Sequence, residues 1–162
     1  MNQATRDVLG HYHLSGPQTE ADILSLAEGI LLRRLERLGW LTDPKASADF
    51  LRARLGNLEH EEFHAVWLDN RHGILGVQHL FTGTVDGCSV YPREVLRHAL
   101  RIGAAAVIFA HNHPSGSVEP SAADRAITIR LRDALTLVDI RVLDHLVVGA
   151  SGTTSLAQRG WI

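Results

Sequence analysis

Gly103-Ala-Ala-Ala-Val-Ile-Phe-Ala110 runs directly into His111-Asn112-His113-Pro114-Ser115-Gly116, and the reading of the chain turns on this stretch. The first part is small, apolar and β-prone, which predicts a buried strand that delivers its last residues to an edge. In extended backbone residues i and i+2 point the same way. His111 and His113 therefore present both imidazoles to one side, as two nitrogen ligands of a single metal must. Pro114 and Gly116 end the strand, and Ser121-Ala-Ala-Asp124 opens an amphipathic run that carries a carboxylate back toward the histidines. Two imidazoles and one carboxylate suit a catalytic zinc ion with water in its fourth position; structural zinc takes four protein ligands, mostly cysteines. The chain has one cysteine. Ser121-x-x-Asp124 ahead of an apolar run is also a helix start, with Ser121 as N-cap and Asp124 in the first turn. Cap and ligand are compatible, because a helix start fixes where the carboxylate sits.

Upstream, Glu61 to Leu68 alternates, with Glu61, Phe63, Ala65 and Trp67 on one face of a predicted strand and Glu62, His64, Val66 and Leu68 on the other. Asp69-Asn-Arg-His-Gly73 is turn chemistry, and Ile74 to Phe81 completes a hairpin with a loop of about five residues. Thr82-Gly-Thr-Val-Asp-Gly87 is a connector without the Gly-Lys-Ser/Thr ending of a phosphate loop, and nothing flanking Cys88 argues for an activated thiolate. Tyr91-Pro92-Arg93 opens a helix with Val95, Leu96, Ala99 and Leu100 inward and Gly103 as its stop. Arg93, Arg97 and Arg101 form a basic stripe on that helix, read as a solvated face.

A helix is expected from Ser121 to about Thr136, with Ile127, Leu131 and Leu135 buried. The strand Asp139 to Val148 contains Asp144-His145; His145 is a candidate supporting group near the site, but is read as a hydrogen-bonded core histidine outside the catalytic set. The tail from Ser151 to Ile162 is a turn and a short terminal element. These elements in this order suggest one α/β domain with a mixed sheet flanked by helices.

His111-x-His113, seven residues, then Ser121-x-x-Asp124 resembles the JAMM (MPN+/JAB) metalloprotease motif. The wording His-Asn-His-Pro-Ser-Gly, with Pro120-Ser121 and Asp144-His145, is similar to its RadC-like bacterial branch, and the likeness covers residues from about 45 to 162. The resemblance implies a three-layer α/β/α JAB/MPN domain over 45–162 and zinc held by His111, His113 and Asp124. It implies hydrolysis of peptide or isopeptide bonds. It also implies an upstream glutamate as general acid/base, placed on Glu61 with Glu62 as the fallback, and a serine, Ser121, that donates to the oxyanion. In the RadC-like family a helix-hairpin-helix segment often precedes this domain, and residues 1–44 are read as a helical remnant of it.

Within that remnant, residues 1–18 form a polar leader. Its His11-x-His13 is carried by no predicted strand and is read as solvent-exposed. Glu20 to Leu38 is a packing helix with Ile23, Leu26, Ala27, Ile30, Leu31, Leu35 and Leu38 on its stripe, Arg33, Arg34 and Arg37 near its end and Gly39 as its stop. After the break at Thr42-Asp-Pro-Lys45, Ser47 to Leu58 is a second helix with Ala48, Leu51 and Leu55 inward.

With 162 residues, 45% of them apolar, and a formal charge of −2, the chain fits one ordinary domain with a real core, and the balance gives no global case for nucleic-acid binding. One cysteine excludes an internal disulfide framework. Neither a charged-then-apolar leader nor an 18-residue apolar span appears, so a cytoplasmic protein acting on peptide or protein substrates, without a membrane, is expected. The alternative is a DNA-repair-associated or DNA-binding protein or nuclease of the RadC-like family without protease activity. A scaffold that has lost its metal residues does not fit the full ligand set, and a zinc deaminase lacks its His-x-Glu and Pro-Cys-x-x-Cys elements here.

Overall fold

Seven consecutive residues, Ala106–Asn112, are buried on both faces of one strand, which only a sheet covered on both sides can achieve. The structure, a computed structural model, describes residues 4–6, 11–14, 16, 17, 19–38, 44–83 and 89–162. The expectations placed on Gly10, Gly39, Thr42-Asp43, residues 84–87 and Cys88 lie outside the described residues, as do those on the side chains of Arg33, Arg34, Leu35, Arg37 and Leu38.

In chain order the elements are β1 (Ala4–Arg6), β2 (Tyr12–Leu14), α1 (Glu20–Leu38), α2 (Pro44–Leu55), β3 (Glu62–Leu68), β4 (Ile74–Thr82), α3 (Pro92–Ile102), β5 (Ala106–Asn112), α4 (Ala122–Thr136), β6 (Arg141–Gly149) and β7 (Gly152–Ser155). β1 and β2 pair as a small antiparallel hairpin in which His13 faces Thr5, so a strand does run through the leader where none was expected. The other five strands form one sheet in the order β4-β3-β5-β6-β7. Only β5 and β6 are parallel, joined by the crossover helix α4, and the sheet is mixed as expected.

One core, built on Phe63, Ala65, Trp67, Val107 and Phe109, lies between the sheet and the α3/α4 side. The other, with Val66, Leu68, Ile108 and Ala110, packs on Phe50, Leu51 and Leu55 of α2. β3 thus contributes alternate residues to opposite cores, and the arrangement is a three-layer α/β/α sandwich.

Element ends follow local chemistry. At the β3–β4 hairpin, Asp69 Oδ1 accepts from the backbone N–H groups of Arg71 and Gly73, and this Asx arrangement closes the turn. α2 begins at Pro44, a residue suited to the first turn, and stops at Leu55 rather than Leu58 because Gly56-Asn57 follow. Gly103, at φ 70°, terminates α3 with its N–H near the Ala99 and Leu100 carbonyls. Val95 and Ala99 are buried as expected, but Leu100 is 57% exposed. A step of about 100° from Ala99 carries it off the buried stripe. Ile23 of α1 also faces outward, 52% exposed.

Candidate metal centre

β5 brings His111 to the α4 side of the sheet, where the ring is buried and stacks on Phe63 of the neighbouring strand at 6.3 Å between centroids and 12° between planes. His113 follows just beyond the strand end. Its N–H donates to the Val148 carbonyl of β6 (3.0 Å), which carries the extended direction two residues further. The two Nε2 atoms therefore face each other at 3.0 Å. The loop that follows must pass close over β6: a Cβ on Gly149 would lie 2.5 Å from the Gly116 carbonyl oxygen.

Asp124 closes the triangle from the first turn of α4. Its Oδ1 is 3.2 Å from His111 Nε2 and its Oδ2 is 3.5 Å from His113 Nε2. The capping box is also present: Ser121 Oγ accepts from the Asp124 N–H (3.1 Å), and Asp124 Oδ2 accepts from the Ser121 N–H (2.6 Å). Cap and site use the same carboxylate, one oxygen holding the helix start and the other facing His111. Burial alone would raise the Asp124 carboxyl, but hydrogen bonds with His111, His113 and Ser121 outweigh it and hold the group well below the ordinary carboxylate range.

The outer nitrogens of both rings are anchored. His113 Nδ1 lies 3.0 Å from the Ser117 carbonyl, which can only accept, so Nδ1 carries the proton and Nε2 of the neutral ring is a lone pair. For His111 the tautomer is assigned through a relay. The Thr128 hydroxyl donates to the Asp124 carbonyl (2.6 Å) and so accepts from His145 Nδ1 (2.6 Å). Burial holds His145 neutral, its pKa well below the usual histidine value, and its Nε2 must accept from His111 Nδ1 (2.8 Å). His111 Nε2 is then a lone pair as well. Two imidazole lone pairs and a carboxylate converge within 4.8 Å of one another, a donor set that calls for a cation between them. His113 is raised above the ordinary histidine value by its hydrogen bond to Asp124, which prevails over burial.

A profile describing the RadC-like JAB domain matches residues 41–161. The chain belongs to that family. This RadC-like JAB chain is 54% identical over 151 residues to a UPF0758 protein of Vibrio cholerae serotype O1, covering 93% of the chain and 95% of the relative. A second UPF0758 protein of the same organism is 52% identical over 143 residues, 88% of the chain and 90% of the relative. A UPF0758 protein of Stutzerimonas stutzeri is 50% identical over 140 residues; the match covers 86% of this chain but 62% of that relative's length. These names state no activity.

In this RadC-like JAB domain the metal-type triad opens into a cleft of about 800 Å³ whose lining includes Glu61, Phe63, Tyr91, Ser121, Ile127 and Arg130. Glu61, just before β3, lies close enough to His113 for its charge to favour the protonated ring. Glu62 points to the opposite face and bonds His64, so the two neighbouring glutamates are separated by the sheet. Ser121 lines the cleft too, with its hydroxyl donated to Asp124 Oδ2 at 2.7 Å.

Two groups outside the triad support the site, His145, which the sequence offers as a candidate, and Asn112, which it does not. His145, expected in the core, is fully buried there but is also the hydrogen-bond partner of His111. Asn112, between the two histidines and facing the other way, accepts from the Glu62 N–H (2.8 Å) and donates to the His60 carbonyl (2.9 Å), fixing the segment that carries Glu61. The adjacent Asp144-His145 pair was a signal for the first; nothing in the chain's pattern signals the second.

Proposed function

We propose that this domain is a zinc-dependent hydrolase that cleaves peptide or isopeptide bonds, with His111, His113 and Asp124 as metal ligands, Glu61 as general acid/base and Ser121 as a donor to the developing oxyanion. The observation that carries this reading is the convergence of His111 Nε2, His113 Nε2 and the Asp124 carboxylate, with the outer nitrogen of each ring hydrogen-bonded away from the site. Three protein donors of this type suit a catalytic ion with a position left open. Bound there, zinc supplies Lewis acidity and lowers the pKa of water from ~15.7 toward ~7.

The chain's own groups account for the rest of the chemistry. Glu61 accepts the proton of the attacking water and returns it to the leaving amine, as a carboxylate within the same cleft can do. Ser121 stabilises the oxyanion once its hydroxyl turns from Asp124 toward the substrate. Phe63, Tyr91 and Ile127 offer an apolar wall for a substrate side chain. The substrate is a peptide or protein. No helix among the described residues is long and apolar enough to cross a membrane, and we place the protein's work in the cytoplasm. Residues 1–44, which hold the β1–β2 hairpin as well as α1, act in this reading as a segment appended to the catalytic domain at 45–162.

A DNA-associated role without protease activity is the second reading, favoured by Arg93, Arg97 and Arg101, all exposed on α3. Incubating the zinc-loaded chain with a peptide and isopeptide library, and in parallel with duplex and single-stranded DNA, separates the two. Amide cleavage abolished by chelation and restored by zinc supports the first. DNA retention or cleavage with every amide intact replaces it with the second.

A further inference from the structure

We propose that Glu62, His64 and His79 form a second divalent-metal site, of zinc-type nitrogen and oxygen donors, on the face of β3 opposite the cleft. One donor atom from each lies within 4.8 Å of the others. Glu62 Oε2 is 2.8 Å from His64 Nε2 and 3.9 Å from His79 Nε2, and the two rings lie 5.1 Å apart between centroids. Tetrahedral zinc with bonds of ~2.0–2.1 Å sets its donors ~3.3 Å apart, so the group needs only modest closure. His64 is fixed in the sheet, whereas the side chains of His79 and Glu62 are 41% and 27% exposed and can make that adjustment.

One further feature supports the site, and a second limits its affinity. The first is a bulge in β4. Phe63 pairs with Phe81 but His64 pairs with His79, so Leu80 is looped out of register. In a regular ladder His64 would face Leu80, and His79 would project to the opposite side; the bulge is what sets the two imidazoles opposite each other. The second is a buried polar atom. His64 is 2% exposed and its Nδ1 has no hydrogen-bond partner among the described residues. Coordination through Nε2 puts the ring proton on that Nδ1, so the missing partner bears on the strength of the site and not on its geometry.

The same missing partner sets the affinity. Outer-nitrogen partners are worth ~10–100-fold in metal binding, and the charge of Arg54 also acts against a cation near His64. The second site is therefore expected to bind zinc ~10–100-fold more weakly than His111, His113 and Asp124. Coordination displaces two bonds, Thr82 Oγ1 to His79 Nε2 at 3.0 Å and His64 Nε2 to Glu62 Oε2 at 2.8 Å. The ion would tie β4 to β3 at the edge of the sheet. This inference stands independently of the hydrolase reading.

The test is zinc stoichiometry on the full chain, stripped with chelator, reloaded, and followed by calorimetric titration and elemental analysis. Wild type is expected to bind two ions of unequal affinity, His79→Ala only the tighter one, His113→Ala only the weaker one, and the double variant none. Cobalt(II) absorption spectra of the two single variants give an independent reading of each site. His79 is chosen because it is exposed, and circular dichroism checks that its variant folds; Glu62→Gln is the second probe. One ion in wild type that persists in His79→Ala and is lost in His113→Ala overturns this proposal and leaves the first site standing. One ion lost in His79→Ala but kept in His113→Ala supports this site and removes the metal basis of the hydrolase.

Discussion

β3 separates two clusters built from the same materials, two histidines and a carboxylate, and their surroundings make them different objects. On the cleft side each imidazole has its outer nitrogen tied down, His113 by a carbonyl and His111 by His145, while Asp124 is held by the helix it caps. On the other side His64 has no partner for Nδ1 among the described residues, and of the remaining donors His79 sits on the edge strand and both side chains are partly exposed. Donor type alone does not rank two such sites. The hydrogen bonds behind the donors fix the tautomer, and so decide whether a lone pair or a proton faces the ion.

The two clusters also titrate in opposite senses. Asp124 raises His113, whereas burial lowers His64 to about 4. In the metal-free chain the His113 contribution to stability is present below the unfolded histidine value and lost as pH rises through its raised folded value. The His64 contribution is present above about 6.5 and lost as pH falls toward about 4.

The sharpest way to break the comparison is His113→Ala, expected to abolish tight zinc binding and all amide hydrolysis; tight binding that survived would reduce the two clusters to equals. Glu61→Gln should keep the tight ion yet lower kcat by ~10²–10⁴-fold, while Glu62→Gln leaves kcat unchanged, as single-turnover assays will show. If Glu62→Gln alone were silent in metal binding and inactive in turnover, the two faces would have been assigned the wrong way round.

Acid unfolding provides a smaller effect. Between pH 6.5 and about 4 the metal-free chain should lose up to ~3 kcal/mol through His64, at 1.36 kcal/mol for each pKa unit, and His64→Phe should flatten that part of the denaturation profile. Last, His145→Leu should weaken zinc at the cleft by ~10–100-fold without touching the weaker site, measured by competition with a chelating dye.

The convergence of His111, His113 and Asp124 was legible because its geometry is local. A strand places His111 and His113 on one side, and a capped helix start returns Asp124 within a fixed distance. Alternation along 61–68 likewise separated Glu61 from Glu62. What the sequence left hidden depends on contacts across elements. His145 reaches His111 from a parallel strand, and Asn112 reaches back some fifty positions to the backbone at His60 and Glu62. The bulge at Leu80 has no composition of its own, since neither Gly nor Pro marks it. The exposed Leu100 shows the limit of the helical stripe, where an apolar residue beside the buried face looks the same as one within it.

The doubled use of Asp124 has a consequence for how the site opens. Its side chain fastens the start of α4, and its carbonyl receives the hydroxyl that orients His145. If that first turn frays, the carboxylate swings away and the relay behind His111 loses its terminus in the same motion. Uncapping and unloading are then a single local event, and an ion seated among the three donors also clamps the beginning of the helix.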